Sequence, residues 1–102
     1  MINQVPSLKE VDRLVHEPSR SIILAILNVV PQADFLYLQR ETELTKGNLT
    51  IHLSKLESAG FIQIEKKYFE KRPLTVCKIT HKGRKAFETY REQLKQFIND
   101  TK

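Results

Sequence analysis

The side chains best suited to chemistry lie together in the stretch Thr45 to Ile62, TKGNLTIHLSKLESAGFI. Leu49, Leu53 and Leu56 recur there at the i, i+4 and i+7 spacing of an inward-facing helix stripe. The residues outside or beside that stripe are mostly small, polar or basic: Thr45, Lys46, Gly47, Asn48, Thr50, Ile51, Ser54 and Lys55. Asparagine can form two hydrogen bonds with adenine, threonine and serine can reach bases or phosphates, and isoleucine can touch a thymine methyl group. The pattern predicts a helix that reads DNA, and a merely solvated surface helix is the alternative.

The start of this helix has the properties of an anion site. Thr45 can cap it, and the free amides and dipole of a helix N-terminus favour a phosphate. Lys46 adds a positive charge, and Gly47 carries no side chain that would keep the backbone away from DNA. We therefore predict a recognition helix over residues 46–59, ended by Gly60 in the left-handed conformation.

The positive charge of the chain is concentrated in the same part of the sequence. The net charge is +5, but residues 1–45 carry four Lys or Arg against six Asp or Glu, whereas residues 46–102 carry thirteen against six. An uneven field of this kind attracts polyanions such as nucleic acid or an anionic membrane surface. For the charge taken alone, a solubilising surface is the alternative.

A basic segment follows the predicted recognition helix. Residues 61–67 and 75–80 are typical of two strands, which would form an antiparallel hairpin, or wing, with a long polar loop. The cations of the wing, at positions 66–73, are expected to contact phosphates, and they are Lys66, Lys67, Lys71 and Arg72. We expect Tyr68 and Phe69 to pack at the strand ends rather than to stack on bases.

Two helices are predicted before this region. Ser7 and Glu10 form a capping box for a helix over residues 7–16. Pro18 can start a second helix that is apolar nearly all round, as a central core helix would be, and that stops before Pro31.

Two further helices complete the prediction. Asp34 can cap a short helix over residues 35–42, and Thr80 can cap a last helix over residues 81–99. The last helix carries a continuous apolar stripe of Phe87, Tyr90, Leu94, Phe97 and Ile98. This helix is too long for so small a domain to cover, and exposed apolar surface usually marks a contact site. Candidate contacts to the DNA backbone outside the recognition helix and wing are Arg40, His81 and Lys82.

The elements together predict a mainly α fold with a small β-hairpin, in the order α-α-α-α-β-β-α. The 102 residues suit a single domain spanning residues 1–102. No apolar run approaches the roughly 18 residues of a membrane span, and the N-terminus has no secretory pattern. One cysteine excludes an internal disulfide framework. We therefore expect a cytoplasmic protein without membrane contact.

The chain resembles winged helix-turn-helix transcriptional regulators of the MarR/ArsR-like kind, and within them the small family called winged helix DNA-binding domain. The residues that carry the resemblance are EPSRSIIL (17–24), LTKGNLTIHLSKLESAGFI (44–62), KRPLTVCKIT (71–80) and the HKG that follows. The resemblance covers about residues 8–98. It implies a homodimer paired through the terminal helices, 7–16 and 81–99, with a DNA-binding lobe over about residues 18–80.

The resemblance also implies roles for particular residues. Arg72 matches the family's wing-tip arginine, which reaches toward the minor groove, although Glu70 can pair with it and limit that reach. The residues expected at the dimer interface are Leu8, Val11, Leu14, Val15, Tyr90, Leu94, Phe97 and Ile98. We predict a homodimeric regulator that binds specific double-stranded DNA, with the recognition helix in the major groove and the wing on the backbone and minor groove.

Other functional classes find less support in the sequence. No phosphate-binding loop, paired-carboxylate signature or Ser/His/Asp motif is present, so we predict neither an enzyme nor a cofactor. Cys77 and the three histidines lie far apart, without metal-ligand spacing. The serious alternative is a winged-helix module that binds protein instead of DNA. The sequence identifies neither an operator nor a small-molecule effector.

Overall fold

The computed structural model of the protein describes residues 11–101. Over this range the chain forms four helices and one antiparallel three-stranded sheet. The elements are α1 Pro18–Val29, β1 Ala33–Asp34, α2 Phe35–Thr42, α3 Lys46–Ser58, β2 Ile62–Phe69, β3 Arg72–Ile79 and α4 His81–Asp100. The predicted winged-helix architecture with a long last helix is confirmed. Within the same range, none of the helices combines the length and apolar character needed to cross a membrane.

Helix α1 forms the centre of the core. Pro18 occupies its first position, and Glu17 caps it by accepting a hydrogen bond from the Arg20 amide at 2.8 Å. The helix ends at Val29, before Pro31, as predicted. Its hydrophobic residues without exposed surface are Ile23, Leu24 and Leu27. A helix with this much buried surface organises the elements packed around it.

Helices α2 and α3 form the helix-turn-helix pair, with the predicted caps. Asp34 Oδ1 accepts a hydrogen bond from the Tyr37 amide at 2.8 Å, and Thr45 Oγ1 accepts one from the Asn48 amide at 3.1 Å. Glu43 ends α2 in the left-handed conformation, with φ 56°. The turn between the helices is therefore short, and it fixes where α3 begins.

The hairpin is tighter than predicted. Strands β2 and β3 pair along their whole lengths, up to Phe69 opposite Arg72, so only Glu70 and Lys71 form the turn. Their φ values of 50° and 67° are those of a type I′ turn, whose twist matches that of paired strands. Pro73 does not interrupt the pairing, because its missing N–H points away from β2, on the side where β1 does not reach. The predicted long loop is therefore wrong.

The sheet has a third strand that was not predicted. Ala33 and Asp34 of β1 pair with Cys77 and Val76 of β3, giving the strand order β1-β3-β2. Two residues are too few for an alternating pattern to be visible in a sequence. This strand joins the start of α2 to the base of the hairpin.

The described part of the predicted first helix is a turn. The His16 amide donates to the Asp12 carbonyl at 2.8 Å, and Asp12 Oδ1 accepts from the Leu14 amide at 2.9 Å. Aspartate side chains that bind nearby amides compete with helix formation. The helix predicted over residues 7–16 is therefore wrong for residues 11–16, and its earlier residues lie outside the described ones.

Helix α4 starts as predicted and approaches its neighbours closely. Thr80 caps it by accepting a hydrogen bond from the Gly83 amide at 2.9 Å. A Cβ at Gly83 would clash with the backbone of Phe61, so only glycine permits this approach. Arg84 donates to the carbonyl and the side chain of Asn28 at 3.0 and 2.7 Å, which ties α4 to the end of α1.

Candidate nucleic-acid interface

The outward face of α3 is set by the residues beneath it. Leu49, Leu53 and Leu56 are 0%, 2% and 0% exposed, so the predicted inward stripe is confirmed. The residues that we predicted to contact bases and phosphates are all exposed on or beside the opposite face: Thr45, Lys46, Gly47, Asn48, Thr50, Ile51, Ser54 and Lys55. The burial of three leucines therefore determines which side chains this helix offers to a partner.

The polar groups at the start of α3 keep specific hydrogen-bonding functions free. Thr45 uses its hydroxyl oxygen to cap the helix, which leaves its hydroxyl hydrogen available as a donor. Thr50 donates its hydroxyl hydrogen to the Lys46 carbonyl at 2.8 Å, which leaves its oxygen available as an acceptor. The Asn48 side chain forms no hydrogen bond with any residue from 11 to 101, so its amide can both donate and accept. These functions match a phosphate and the base edges of DNA.

A groove of about 560 Å³ lies between α3 and the hairpin. Its polar lining includes Lys46, Thr50 and Ser54 of α3, Lys66 of β2, and Asp34 and Gln39 at and near the start of α2. Two cations from separate elements therefore face the same groove. The structure brings Lys66 together with the recognition helix, although twenty positions separate it from Lys46 in the sequence.

Lys67 lies on the opposite face of the hairpin from Lys66, because adjacent residues of a strand alternate. It is only partly exposed, and its Nζ donates to Gln32 Oε1 at 3.2 Å. The structure therefore places Lys67 away from the groove beside α3. The backbone contact that we expected of Lys67 would need this hydrogen bond to open.

The tip of the hairpin is exposed to solvent. Lys71 and Arg72 are exposed there, and no ion pair joins Arg72 to Glu70 in the part of the chain that the structure describes. Tyr68 is 77% exposed and Phe69 is 63% exposed, so the expectation that they pack at the strand ends is wrong.

The other predicted cations, Arg40, His81 and Lys82, are exposed. Arg40 lies on α2, with its guanidinium 5.8 Å from the centre of the Tyr37 ring. Lys82 lies beside Gly60, and His81 is its neighbour in the chain. Gly60 follows the end of α3, roughly 20 Å from Lys46 at 1.5 Å per residue. Any contact made by His81 or Lys82 would therefore be separate from the start of α3.

A buried arginine holds α3 from behind, and it was not predicted from the sequence. Arg20 is 8% exposed, its Nε donates to the Leu14 carbonyl at 2.6 Å, and its NH1 lies 2.9 Å from His52 Nδ1 on α3. Arginine has only donors, so Nδ1 accepts and His52 carries its hydrogen on Nε2. Glu17 Oε1 lies 3.7 Å from the same nitrogen. The sequence feature that could have indicated this role is a lone arginine at the start of an otherwise apolar helix.

The histidines and the cysteine are engaged separately. His16 Nδ1 lies 2.8 Å from the Tyr90 hydroxyl. Cys77 is buried, and this burial, followed by the negative charge of Glu57, raises the pKa of its thiol from 9.0 to about 11. Among residues 11–101, no group of three or more His, Cys, Asp or Glu side chains is placed to hold a metal ion.

The residues predicted for the dimer interface fall into two groups. Val11, Val15 and Tyr90 are 7%, 0% and 7% exposed, because they belong to the core of their own chain. They leave almost no surface for a partner in the single chain, so burial gives these three no support as interface residues. The residues that keep exposed surface are Leu14, Leu94, Phe97 and Ile98. Leu8 lies outside the described residues.

Comparisons with known proteins give the same architecture. The family described as winged helix DNA-binding domain matches residues 20–98. An uncharacterized protein of Methanocaldococcus jannaschii is 46% identical over 68 residues, which cover 67% of this chain and 74% of that protein. The solved structure of a transcriptional regulator homologue from Pyrococcus horikoshii OT3 is 30% identical, with a TM-score of 0.82 over 88% of this chain and 89% of that one. The transcriptional regulator BldR from Sulfolobus solfataricus is 22% identical, with a TM-score of 0.66 over 92% of this chain and 63% of its own, a likeness of fold.

Proposed function

Because this chain belongs to the winged helix DNA-binding domain family, we propose that it is a transcriptional regulator that binds specific sequences of double-stranded DNA as a homodimer. The family and the fold are those of winged helix-turn-helix transcriptional regulators of the MarR/ArsR-like kind, not of enzymes. The observation that carries the proposal is the outer face of α3, which is exposed, polar and basic, and which has hydrogen-bonding groups free at its N-terminal end. We also propose that the protein acts in the cytoplasm.

The first half of α3 would read base edges in the major groove. The recognition helix of a helix-turn-helix contacts bases with its N-terminal residues. Asn48 would bind adenine through its two amide functions, and the Thr50 oxygen would accept from an amino group of a base. Ile51 would contact a thymine methyl group, while the Thr45 hydroxyl and the first amides of α3 would hold a phosphate.

The hairpin would add contacts beside the major groove. Lys66 faces the same groove as Lys46, so the two amines can hold phosphates on either side of it. Lys71 and Arg72 extend beyond the helices on a tight turn. Arginine is drawn to narrow A·T-rich minor grooves, where the negative potential is strongest. We therefore assign the tip to the minor groove and its flanking backbone.

Two copies would place two recognition helices in successive major grooves, about 34 Å apart. The surface that supports this part of the proposal is the second half of α4, where burial decreases from Phe87 and Tyr90 to Ile98, which is 57% exposed. Replacing both Leu94 and Phe97 by glutamate should yield monomers on size-exclusion chromatography. Lys95→Glu changes the charge of the same helix at an exposed position and serves as the control. An unchanged elution volume for the double variant would remove α4 from the interface.

The alternative function is a winged-helix module that binds another protein. Such a module needs apolar anchors at the centre of its contact surface. The exposed residues of α3 are polar or basic, apart from the acidic Glu57 near its end and Ile51, the exposed large hydrophobic residue of that helix. This composition favours DNA.

Selection from a random pool of duplex DNA, followed by titration at several salt concentrations, tests the proposal. A sequence-specific homodimer should recover palindromic sites, and counterion release should give a steep fall of log K with log salt. A pool that yields no common sequence would contradict specific recognition. No binding of any duplex at low salt would contradict DNA binding altogether and favour the protein-binding alternative.

A further inference from the structure

Two large aromatic side chains stand exposed at the tip of a basic hairpin. Tyr68 is 77% exposed and Phe69 is 63% exposed. Neither forms a hydrogen bond or a ring contact with any described residue. Exposed apolar groups of this size keep unfavourable contact with water until a partner covers them. The tip therefore has the character of a contact surface.

The hairpin holds the two rings on opposite faces. Phe69 pairs across the strands with Arg72, and Tyr68 pairs with Pro73. Because successive side chains of a strand point to opposite faces, Phe69 and Arg72 share one face of the hairpin, and Tyr68 and Pro73 share the other. The turn at Glu70 and Lys71 has the left-handed geometry that closes a two-residue hairpin. Phe69 and Arg72 are thus the last pair before the turn, and their side chains project side by side at the far end of the wing.

The charges around the rings select the partner. Lys66, Lys71 and Arg72 are exposed on the same hairpin, where the acids are Glu70 in the turn and Glu65, which pairs with Lys78 at 3.2 Å. A second copy of this tip would be repelled by these cations, whereas the phosphates of DNA would be attracted. The tip belongs to the same hairpin as Lys66, which shares a groove with α3, although Phe69 and Arg72 lie on the Lys67 face of that hairpin. A DNA duplex is therefore the occupant that both the charge and the position favour.

We propose that Phe69 is a wedge that inserts into the minor groove, opens one base step and bends the DNA. This inference rests on the proposed function and adds to it a way of deforming the target. Apolar side chains placed between base steps partly unstack them and kink the duplex by roughly 20–90°. Arg72 brings the wedge to its site, because the two side chains project together and arginine is drawn into the minor groove.

The wedge would make the protein select sequence at positions that α3 does not touch. Pyrimidine–purine steps such as TA and CA unstack most easily, so the energy of opening depends on the step below the wing. We expect sites in which each base pattern read by α3 is flanked by such a step. Specificity would then come partly from the deformability of the flanking DNA.

The test is a bending measurement made together with a binding measurement. The probe is an A·T-rich duplex of about 30 base pairs, with a fluorophore at each end and 2-aminopurine in its TA steps. On binding of the wild-type protein, which anisotropy reports, energy transfer between the ends and 2-aminopurine emission should both rise. Phe69→Ala should remove most of both increases at saturation, while Phe69→Leu, which keeps an apolar wedge, should retain them.

Two controls separate the wedge from other roles of the tip. Lys71→Ala removes a cation beside the wedge. It should therefore weaken DNA binding, seen as a higher Kd, but leave the bend of the DNA at saturation unchanged. Thermal unfolding of the Phe69 variants should match the wild-type protein, because the side chain is exposed.

Each outcome of the test decides the inference. Binding without bending by the wild-type protein, or full bending by Phe69→Ala, would overturn the wedge and leave the proposed function intact. A change of oligomeric state in Phe69→Ala with an unchanged bend would assign the tip to contacts between copies and overturn the wedge. Absence of binding by the wild-type protein to this probe and to every pool duplex would overturn both proposals.

Discussion

Helix α3 and the tip of the hairpin both present groups suited to DNA, but they are held in different ways. Helix α3 rests on three leucines that are 0–2% exposed, and it is capped by Thr45 and held from behind by Arg20. The tip has no core beneath it, and its position depends on cross-strand pairing and on two non-glycine residues in the left-handed conformation.

Under the proposed function, this difference would suit the two regions to different tasks. Reading bases requires side chains fixed to within a fraction of an ångström, which a helix seated on a core can provide. A hairpin tip that follows a deformable DNA groove can tolerate movement of its side chains, and an exposed two-stranded ribbon allows such movement. The experiments below are chosen to break or sharpen this contrast.

The largest effect is expected where α3 meets the core. Leu53→Ala should lower the free energy of unfolding by about 2–5 kcal/mol, because it removes a buried side chain and leaves a cavity. Urea denaturation measures it. Ile51→Ala is the matched control on the outer face of the same helix, and it should change stability by less than about 0.5 kcal/mol. Equal losses for the two variants would mean that α3 is not seated as described.

A smaller loss is expected at the buried arginine. Arg20→Met keeps most of the packing volume but leaves the Leu14 carbonyl and His52 without their donor, which should cost about 1.5–3 kcal/mol of stability. Denaturant unfolding measures this loss. Arg13→Met, at an exposed position, should be nearly neutral and is the control. A neutral Arg20→Met would show that the leucines alone position α3.

The contrast between reading and following can be measured on DNA. Asn48→Ala should reduce discrimination between base pairs at one position of the site by about 1–3 kcal/mol. Lys71→Ala should weaken binding to all sequences similarly and lower the salt slope by about 1. Competition binding with single-substitution duplexes measures both. If Asn48→Ala weakened specific and random DNA equally, the base-reading role of α3 would be lost.

The smallest effect is expected at the turn of the wing. Replacing Glu70 by Asn and Lys71 by Gly should raise the free energy of unfolding by about 1 kcal/mol, because these residues adopt positive φ more easily than Glu and Lys. DNA binding should weaken at the same time, since the Lys71 amine is lost. Thermal melts and anisotropy measure the two effects. Lower stability in this double variant would contradict the type I′ geometry.

Much of the fold was predictable because its signals are local. The capping residues Asp34, Thr45 and Thr80 form the hydrogen bonds that their sequence positions predicted. The signals failed where the structure depends on distant partners. Glu70 and Lys71 are not residues typical of a two-residue turn, and strand pairing imposes that conformation on them. The turn over residues 11–16 likewise replaces a helix because Asp12 binds backbone amides beside it and Val15 is drawn into the core.

The sequence by itself determined which face of α3 turns outward, because three leucines at helical spacing leave only one side for polar residues. It also determined that the electrostatic field around the second half of the chain is positive, since the net charge changes from negative to positive near Lys46. Only the tertiary structure decided that Arg20 supports α3 and that Lys66, but not Lys67, joins its groove. The same holds for the exposure of Tyr68 and Phe69 at the wing tip. These outcomes depend on strand register and on the approach of elements far apart in the chain, and neither leaves a periodic pattern among neighbouring residues.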